Sequence, residues 1–115
     1  MKPTYSKKSK YRSRKVTIDG VTYDSLKEYH RFCDLKLMQR AGIITGLQRQ
    51  VKYELLPTQR INGKVIERPV NYYADFVYKM DRQLVVEDVK GYKTPEYVIK
   101  RKLMLSVYGI QIHEV

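Results

Sequence analysis

Apolar positions recur at two different spacings along the chain. Over residues 16–23 they alternate with polar ones and break at Asp19-Gly20, which predicts a short hairpin. The spacing then becomes helical: Leu26, Tyr29, Cys33 and Leu37 form a stripe, with Phe32 alongside. Ser25 followed by Glu28 has capping-box spacing, with Asp24 as a competing cap, and Ala41-Gly42 ends the helix. A strand over residues 47–56 stops at Pro57, and Asn62-Gly63 predicts a second hairpin within residues 60–67. Residues 68–79, rich in Tyr and Val, form the next strand, and Met80-Asp81-Arg82 makes a tight connection. Residues 84–90 start as a nearly continuous apolar run, which predicts a central strand, and Gly91 stops it. Thr94-Pro95 opens a second helix with proline at its first position. That helix carries Tyr97, Val98, Arg101, Leu105 and Tyr108 and ends before Gly109, leaving residues 110–115 as a last strand.

The resulting order is helix, three strands, helix, strand. Three consecutive strands can pair as an antiparallel meander, and a helix allows a right-handed crossover to a final parallel strand. The expected fold class is α/β: an αβββαβ core with a mixed central sheet and two flanking helices, over residues 16–115. Residues 1–15 differ in composition, holding Lys2, Lys7, Lys8, Lys10, Arg12, Arg14 and Lys15 with no acid. Such a segment is expected to be a flexible arm that grips phosphates, with Tyr5 and Tyr11 available for stacking. A solvated extension or a targeting address is the alternative.

Charge sharpens the choice of partner. The chain has 115 residues, 23 Lys and Arg against 12 Asp and Glu, and a net charge of +11. A surplus of that size favours a polyanion: nucleic acid first, an anionic membrane surface second. Cys33 is the single cysteine, which excludes an intramolecular disulfide and suits a reducing compartment. With only two histidines besides, a structural zinc site is not expected. No apolar stretch approaches a membrane span and none follows the basic N-terminus, so the cytoplasm is the expected location.

Acidic residues are few, so their positions carry information. Asp75 interrupts the otherwise apolar Tyr72-Tyr73-Ala74-Asp75-Phe76-Val77-Tyr78, and Asp88 and Lys90 end Leu84-Val85-Val86-Glu87-Asp88-Val89-Lys90. Strand side chains alternate, so Asp88 and Lys90 point one way with Leu84 and Val86, and Glu87 the other. A short turn joins the two strands, so Asp75 can lie beside Asp88. Paired carboxylates repel unless a cation sits between them, and a hard divalent ion takes oxygen ligands. Such an ion polarises a phosphate and acidifies a water, while Lys90 can orient that water or steady the phosphate. Glu28, from the first helix, could add a ligand. The bland alternative is an Asp88–Lys90 edge ion pair with Glu28 serving only as a helix cap.

Asp75 followed by Asp88-Val89-Lys90 resembles the PD-(D/E)XK nuclease signature. Asp24-Ser25-Leu26-Lys27-Glu28 resembles that superfamily's first-helix motif, whose Glu is often a metal ligand. Residues 16–115 are similar to a compact phage and prophage branch, with Val86-Glu87-Asp88-Val89-Lys90-Gly91 as hallmark. The resemblance implies a restriction-endonuclease-like core, Mg²⁺ or Mn²⁺ as cofactor, and cleavage of duplex or branched DNA, as in Holliday-junction resolvases. It also implies a bacterial host cytoplasm if the chain is phage-encoded. Ala74 stands where the motif has proline. Because Glu87 precedes Asp88, either acid could be the second ligand if a bulge shifts the register.

Lys93, Lys100 and Lys102 could contact phosphates, a solvated helix face being the alternative. Gln50 could line the cleft. His30 and His113 are read as structural. Cutting both strands would require a homodimer. The competing functional readings are a non-catalytic DNA-binding protein that keeps the nuclease fold, and a basic interaction module of a phage replication or packaging complex.

Overall fold

Two helices and a mixed sheet organise the molecule, and the local sequence signals account for most of their ends. The computed structural model describes residues 3–8 and 14–115, residues 4–8 by their backbone alone. Strands β2 (Arg14–Ile18) and β3 (Val21–Tyr23) form the first hairpin, whose turn places Asp19 at φ 53° and Gly20 at φ 79°. Helix α1 (Leu26–Arg40) follows, capped by Ser25, whose Oγ accepts from the Glu28 N–H at 3.1 Å. The long strand β4 (Thr45–Leu56) then runs into a hairpin of β5 (Gln59–Ile61) and β6 (Lys64–Glu67), and returns as β7 (Val70–Met80). A two-residue turn at Asp81-Arg82, both at positive φ, leads to β8 (Gln83–Asp88). Helix α2 (Pro95–Tyr108), capped by Thr94 and closed by Gly109 in the left-handed region, crosses over to β9 (His113–Glu114).

The central sheet has four strands in the order β4-β7-β8-β9. The first three pair antiparallel and β9 lies parallel to β8, so the sheet is mixed and β8 is interior, as its apolar start predicts. One core, of Leu55, Tyr72, Ala74, Val77, Val86, Tyr97, Met104 and Ile112, joins the sheet to α2. A second, of Leu35, Ile44, Phe76 and Tyr78 with Phe32 against it, lies on the α1 side. A third, of Val16, Ile18 and Tyr23, seats the first hairpin under Leu26, Tyr29 and Phe32. Among the described residues, no helix is long and apolar enough to cross a membrane.

Within the basic segment expected to be a flexible arm, Thr4–Lys8 is a strand, β1, paired antiparallel with β2, and residues 9–13 lie outside the described residues. The reason is local: β2 has β3 on one side only, and its other edge offers unpaired backbone groups for a strand to join. The helical stripes are also displaced. Leu37 is 60% exposed whereas Leu35 is fully buried. Helix α1 serves two partners, so Leu26 and Tyr29 face the hairpin while Phe32 and Leu35 turn toward the sheet. On α2, Leu105 is 57% exposed and Met104 takes the core position. The last strand shrinks to two residues because Ile110 N–H is still engaged by Met104 O, closing the helix end. Its ladder continues past β8 through Val115 N–H to Asp88 O at 2.9 Å and Lys90 N–H to Val115 O at 3.3 Å.

Candidate active site

The site forms where the sheet changes the side on which it buries its residues. In β4, Leu47 packs with the α1 core but Val51, Tyr53 and Leu55 pack with the α2 core, although all four share one parity. In β7, Tyr72 and Ala74 belong to the α2 core and Phe76 and Tyr78 to the α1 core. Regular alternation would keep each set on one face. The switch falls at Gln50, whose φ is 52°, a left-handed value uncommon for a non-glycine residue inside a strand. Arg49 pairs with Phe76 and Val51 with Ala74, so Gln50 and Asp75 stand opposite each other at the switch.

Asp75 and Asp88 meet across the next pair of strands. The β7–β8 register pairs Phe76 with Glu87 and Val77 with Val86, so Asp75 and Asp88 fall at the next step. Both are buried. Asp75 Oδ2 accepts from Val89 N–H at 2.8 Å, and Oδ1 accepts from Gln50 Nε2 at 3.2 Å. Asp88 Oδ2 accepts from the Tyr72 hydroxyl. Asp88 Oδ1 is buried without a hydrogen bond of ordinary geometry, and its neighbour is Lys90 Nζ at 3.0 Å. Lys90 Nζ also stands 4.3 Å from the centroid of the Tyr97 ring.

Glu28 reaches the same place from α1 while also closing the helix N-terminus. Oε2 accepts from Asp24 N–H at 2.8 Å, closing the helix N-terminus, while Oε1 accepts from Gln50 Nε2 at 3.1 Å. The Gln50 amide therefore bridges Glu28 and Asp75. Asp24, Glu28 and Asp75 each place a carboxylate oxygen within 4.8 Å of the others. Asp24, Gln50, Asp75, Asp88, Lys90 and Lys100 line one cleft of about 270 Å³, with Tyr72, Tyr73 and Tyr97 in its walls.

Electrostatics mark the cluster as one built around an excess of negative charge. Burial, then the charges of Asp88 and Glu28, push the Asp75 carboxyl up to about 8. Burial also raises the Glu28 carboxyl. The Tyr72 phenol is raised by burial and by the Asp88 charge, so it stays a donor to that carboxylate. A hard divalent cation fits this set on three counts: all the donors are oxygens, Asp88 Oδ1 is buried and under-satisfied, and Asp75 carries a penalty that a cation would relieve.

The structure brings Glu28, Gln50, Asp75, Asp88 and Lys90 together, and it separates Glu87 from them. Glu87 is buried on the α1 side, held by Arg31 through two bonds of 2.8 Å and by the Tyr78 hydroxyl. Among the lysines near α2, Lys100 lines the cleft while pairing with Glu96 at 3.0 Å. Lys93 instead pairs with Glu114 at 3.2 Å, and Lys102 borders a different hollow beside Leu105 and Ile112. Arg14 and Lys15 are exposed at the start of β2, Lys7 and Lys8 lie on β1, and Lys10 and Arg12 fall outside the described residues. Sequence reasoning missed Asp24 as a cleft residue, having read it only as a helix cap. It also missed Tyr72 and Tyr97, which look in sequence like ordinary sheet and helix aromatics.

No curated protein and no solved structure matches the chain. A family model does match, over residues 8–113, and it contains every residue of the cleft: the chain belongs to the family described as "Protein of unknown function (DUF1064)".

Proposed function

We propose that the protein is a metal-dependent DNA endonuclease that hydrolyses phosphodiester bonds. The observation that carries this reading is the convergence of Asp75, Asp88 and Lys90 in one solvent-reachable cleft, with Glu28 behind them. Their order and spacing resemble the PD-(D/E)XK signature, and the run α1, β4, β7, β8, α2, β9 has the order of that superfamily's core once the inserted hairpin is set aside. A net charge of +11 suits a polyanionic substrate.

Asp75 would hold the ion with Glu28 and Asp24, whose carboxylate oxygens lie within 4.8 Å of one another, and Asp88 would join them from the neighbouring strand. When bound, Mg²⁺ or Mn²⁺ supplies Lewis-acid polarisation of the phosphate and acidifies the attacking water. The chain's own residues do the rest. Val89 N–H and the Tyr72 hydroxyl fix the two carboxylates, so that little reorganisation is needed when substrate arrives. Lys90, steadied between Asp88 and the Tyr97 ring, offers its ammonium to the phosphate oxygens as negative charge builds on them. Lys100, at the cleft wall, suits a flanking phosphate.

The test is incubation of the purified protein with labelled duplex, flap and four-way-junction DNA in Mg²⁺, Mn²⁺ or EDTA. Cutting is expected with either metal and not in EDTA. Asp88→Ala should abolish it while DNA binding persists. Cutting that survives in EDTA or in Asp88→Ala would remove the assignment.

A further inference from the structure

The β5–β6 hairpin stands apart from the rest of the molecule. Every residue of both strands is exposed, including Ile61 at 62%, Val65 at 49% and Ile66 at 55%. The three cores contain none of its residues. A two-stranded ribbon with no third strand or helix against it is marginal in water, so the hairpin's own packing does not explain why it is there.

Its surface chemistry says what it suits. Arg60, Lys64 and Arg68 stand against one carboxylate, Glu67, over residues 59–68. Among the described residues no carboxylate pairs with any of the three cations, although Arg60 touches its own turn at Gly63 O, 3.4 Å away. The register pairs Ile61 with Lys64 and Arg60 with Val65. Directly opposed residues share a face, so one face carries Lys64 with Ile61 and, by alternation, Ile66, and the other carries Arg60 with Val65; each face mixes a cation with apolar surface. A protein groove selects a ribbon with one apolar face and one polar face. A nucleic-acid groove presents phosphates at its walls and apolar base and sugar edges at its floor, and a two-stranded ribbon fits its major groove. Asn62-Gly63 makes the tip narrow, with both residues at positive φ.

We infer that the β5–β6 hairpin is a DNA-engaging ribbon, with Arg60, Lys64 and Arg68 at phosphates and Ile61 against the groove floor. This inference rests on the endonuclease reading for its partner, and adds where on the DNA the protein holds. The chain from Gln50 to Gly63 can reach at most about 45 Å, so the grip falls within about 13 base pairs of the bond cut.

The test is DNA binding in EDTA, where no cutting intervenes, measured across a salt series with the full chain. Arg60→Gln with Lys64→Gln should make the slope of log affinity against log salt shallower by about 2. The same variant should shorten the protected footprint on one side. Ile61→Ser should weaken binding about tenfold and leave the slope unchanged. Because every residue of the two strands is exposed and lies outside the three cores, all these variants should keep the parent's melting temperature. Parent-like slope, footprint and affinity in these variants would overturn the ribbon while leaving the nuclease intact. So would variants that bind DNA normally but turn a dimer into a monomer, which would give the surface to a second copy. A parent protein that neither binds nor cuts DNA would remove the endonuclease reading, and the ribbon with it.

Discussion

Glu87 and Asp88 are neighbours on one strand and equally inaccessible, yet burial has had opposite consequences for them. Glu87 faces α1, where Arg31 meets both its oxygens and Tyr78 adds a third bond. Asp88 faces the cleft, where one oxygen has the Tyr72 hydroxyl and the other is left to an ammonium that is itself 27% exposed. A buried charge costs several kcal/mol unless its lone pairs are met. The α1 face meets them within the protein and therefore serves stability. The cleft face answers Asp88 with a partly exposed ammonium and crowds Asp75 between Asp88 and Glu28, and that crowding is what a divalent ion could relieve. Substitutions on the α1 face should therefore cost stability, and those on the cleft face activity.

The largest effect is expected at Asp88. Asp88→Asn removes a ligand charge and should lower cutting by about 10³-fold or more, equivalent to about 4 kcal/mol of barrier. The melting temperature should fall only modestly, because the amide oxygen can still accept from Tyr72 and the partly exposed Lys90 ammonium can turn from the amide NH2 toward solvent. Glu87→Gln should show the reverse, with cutting per folded molecule kept and the melting temperature lowered. If Glu87→Gln were the variant that stops cutting at unchanged stability, the two acids would have to exchange roles.

Next in size is Arg31→Ala. It leaves Glu87 buried without its cation and should destabilise by about 3–5 kcal/mol, read as a fall in the denaturant midpoint at constant slope. Salt should erode the parent's advantage only in part, because Glu87 is fully buried although Arg31 is partly exposed. A loss below about 1 kcal/mol would mean that the pair behaves like a surface ion pair, and the contrast between the faces would weaken.

Asp75 tests the cleft face through pH. Its carboxyl is pushed up to about 8 in the folded protein, chiefly by burial and then by Asp88 and Glu28. The unfolded chain releases that proton near pH 4, so the folded state binds more protons between about pH 4 and 8. Stability contributed at this position is therefore lost as pH rises through that window. Asp75→Asn removes the penalty, and in EDTA its melting temperature should exceed the parent's by about 4 °C or more at pH 8, and by less at pH 5. Mg²⁺ should raise the parent's melting temperature at pH 8 and leave Asp75→Asn nearly unmoved. A difference between the two proteins that ignores pH would place the excess charge elsewhere.

Much of this contrast was legible in the sequence, because regular strand alternation puts residues 87 and 88 on opposite faces. The turn signals at Asp19-Gly20 and Asn62-Gly63, the Ser25 cap and the Thr94-Pro95 start act over a few residues, and they placed the elements. The identities of the helix faces were less legible. Leu35 and Met104 are core residues and Leu37 and Leu105 are not, because α1 and α2 each meet partners that no local pattern reveals. The partners of the site were hidden for the same reason. Tyr72 reads as a sheet tyrosine until β8 sets Asp88 beside it, and Gln50, a candidate cleft residue in the sequence, gains its bridging role only where the sheet switches faces.

That switch gives the smallest effect and separates backbone from side chain. Gln50 bridges Glu28 and Asp75 with its amide while holding φ at 52°. Gln50→Gly and Gln50→Ala lose the same two hydrogen bonds, so the cleft's carboxylates are equally deprived in both. They differ in the backbone, since glycine adopts the left-handed region freely and alanine does not. Gln50→Gly should therefore be more stable than Gln50→Ala by about 1 kcal/mol, although glycine is normally the poorer strand residue. Denaturant titration of the pair reads that difference directly. If alanine proved the more stable of the two, the left-handed kink would not be a fixed feature of β4. The turn of the sheet that carries Asp75 away from the α1 face and into the cleft would then need another cause.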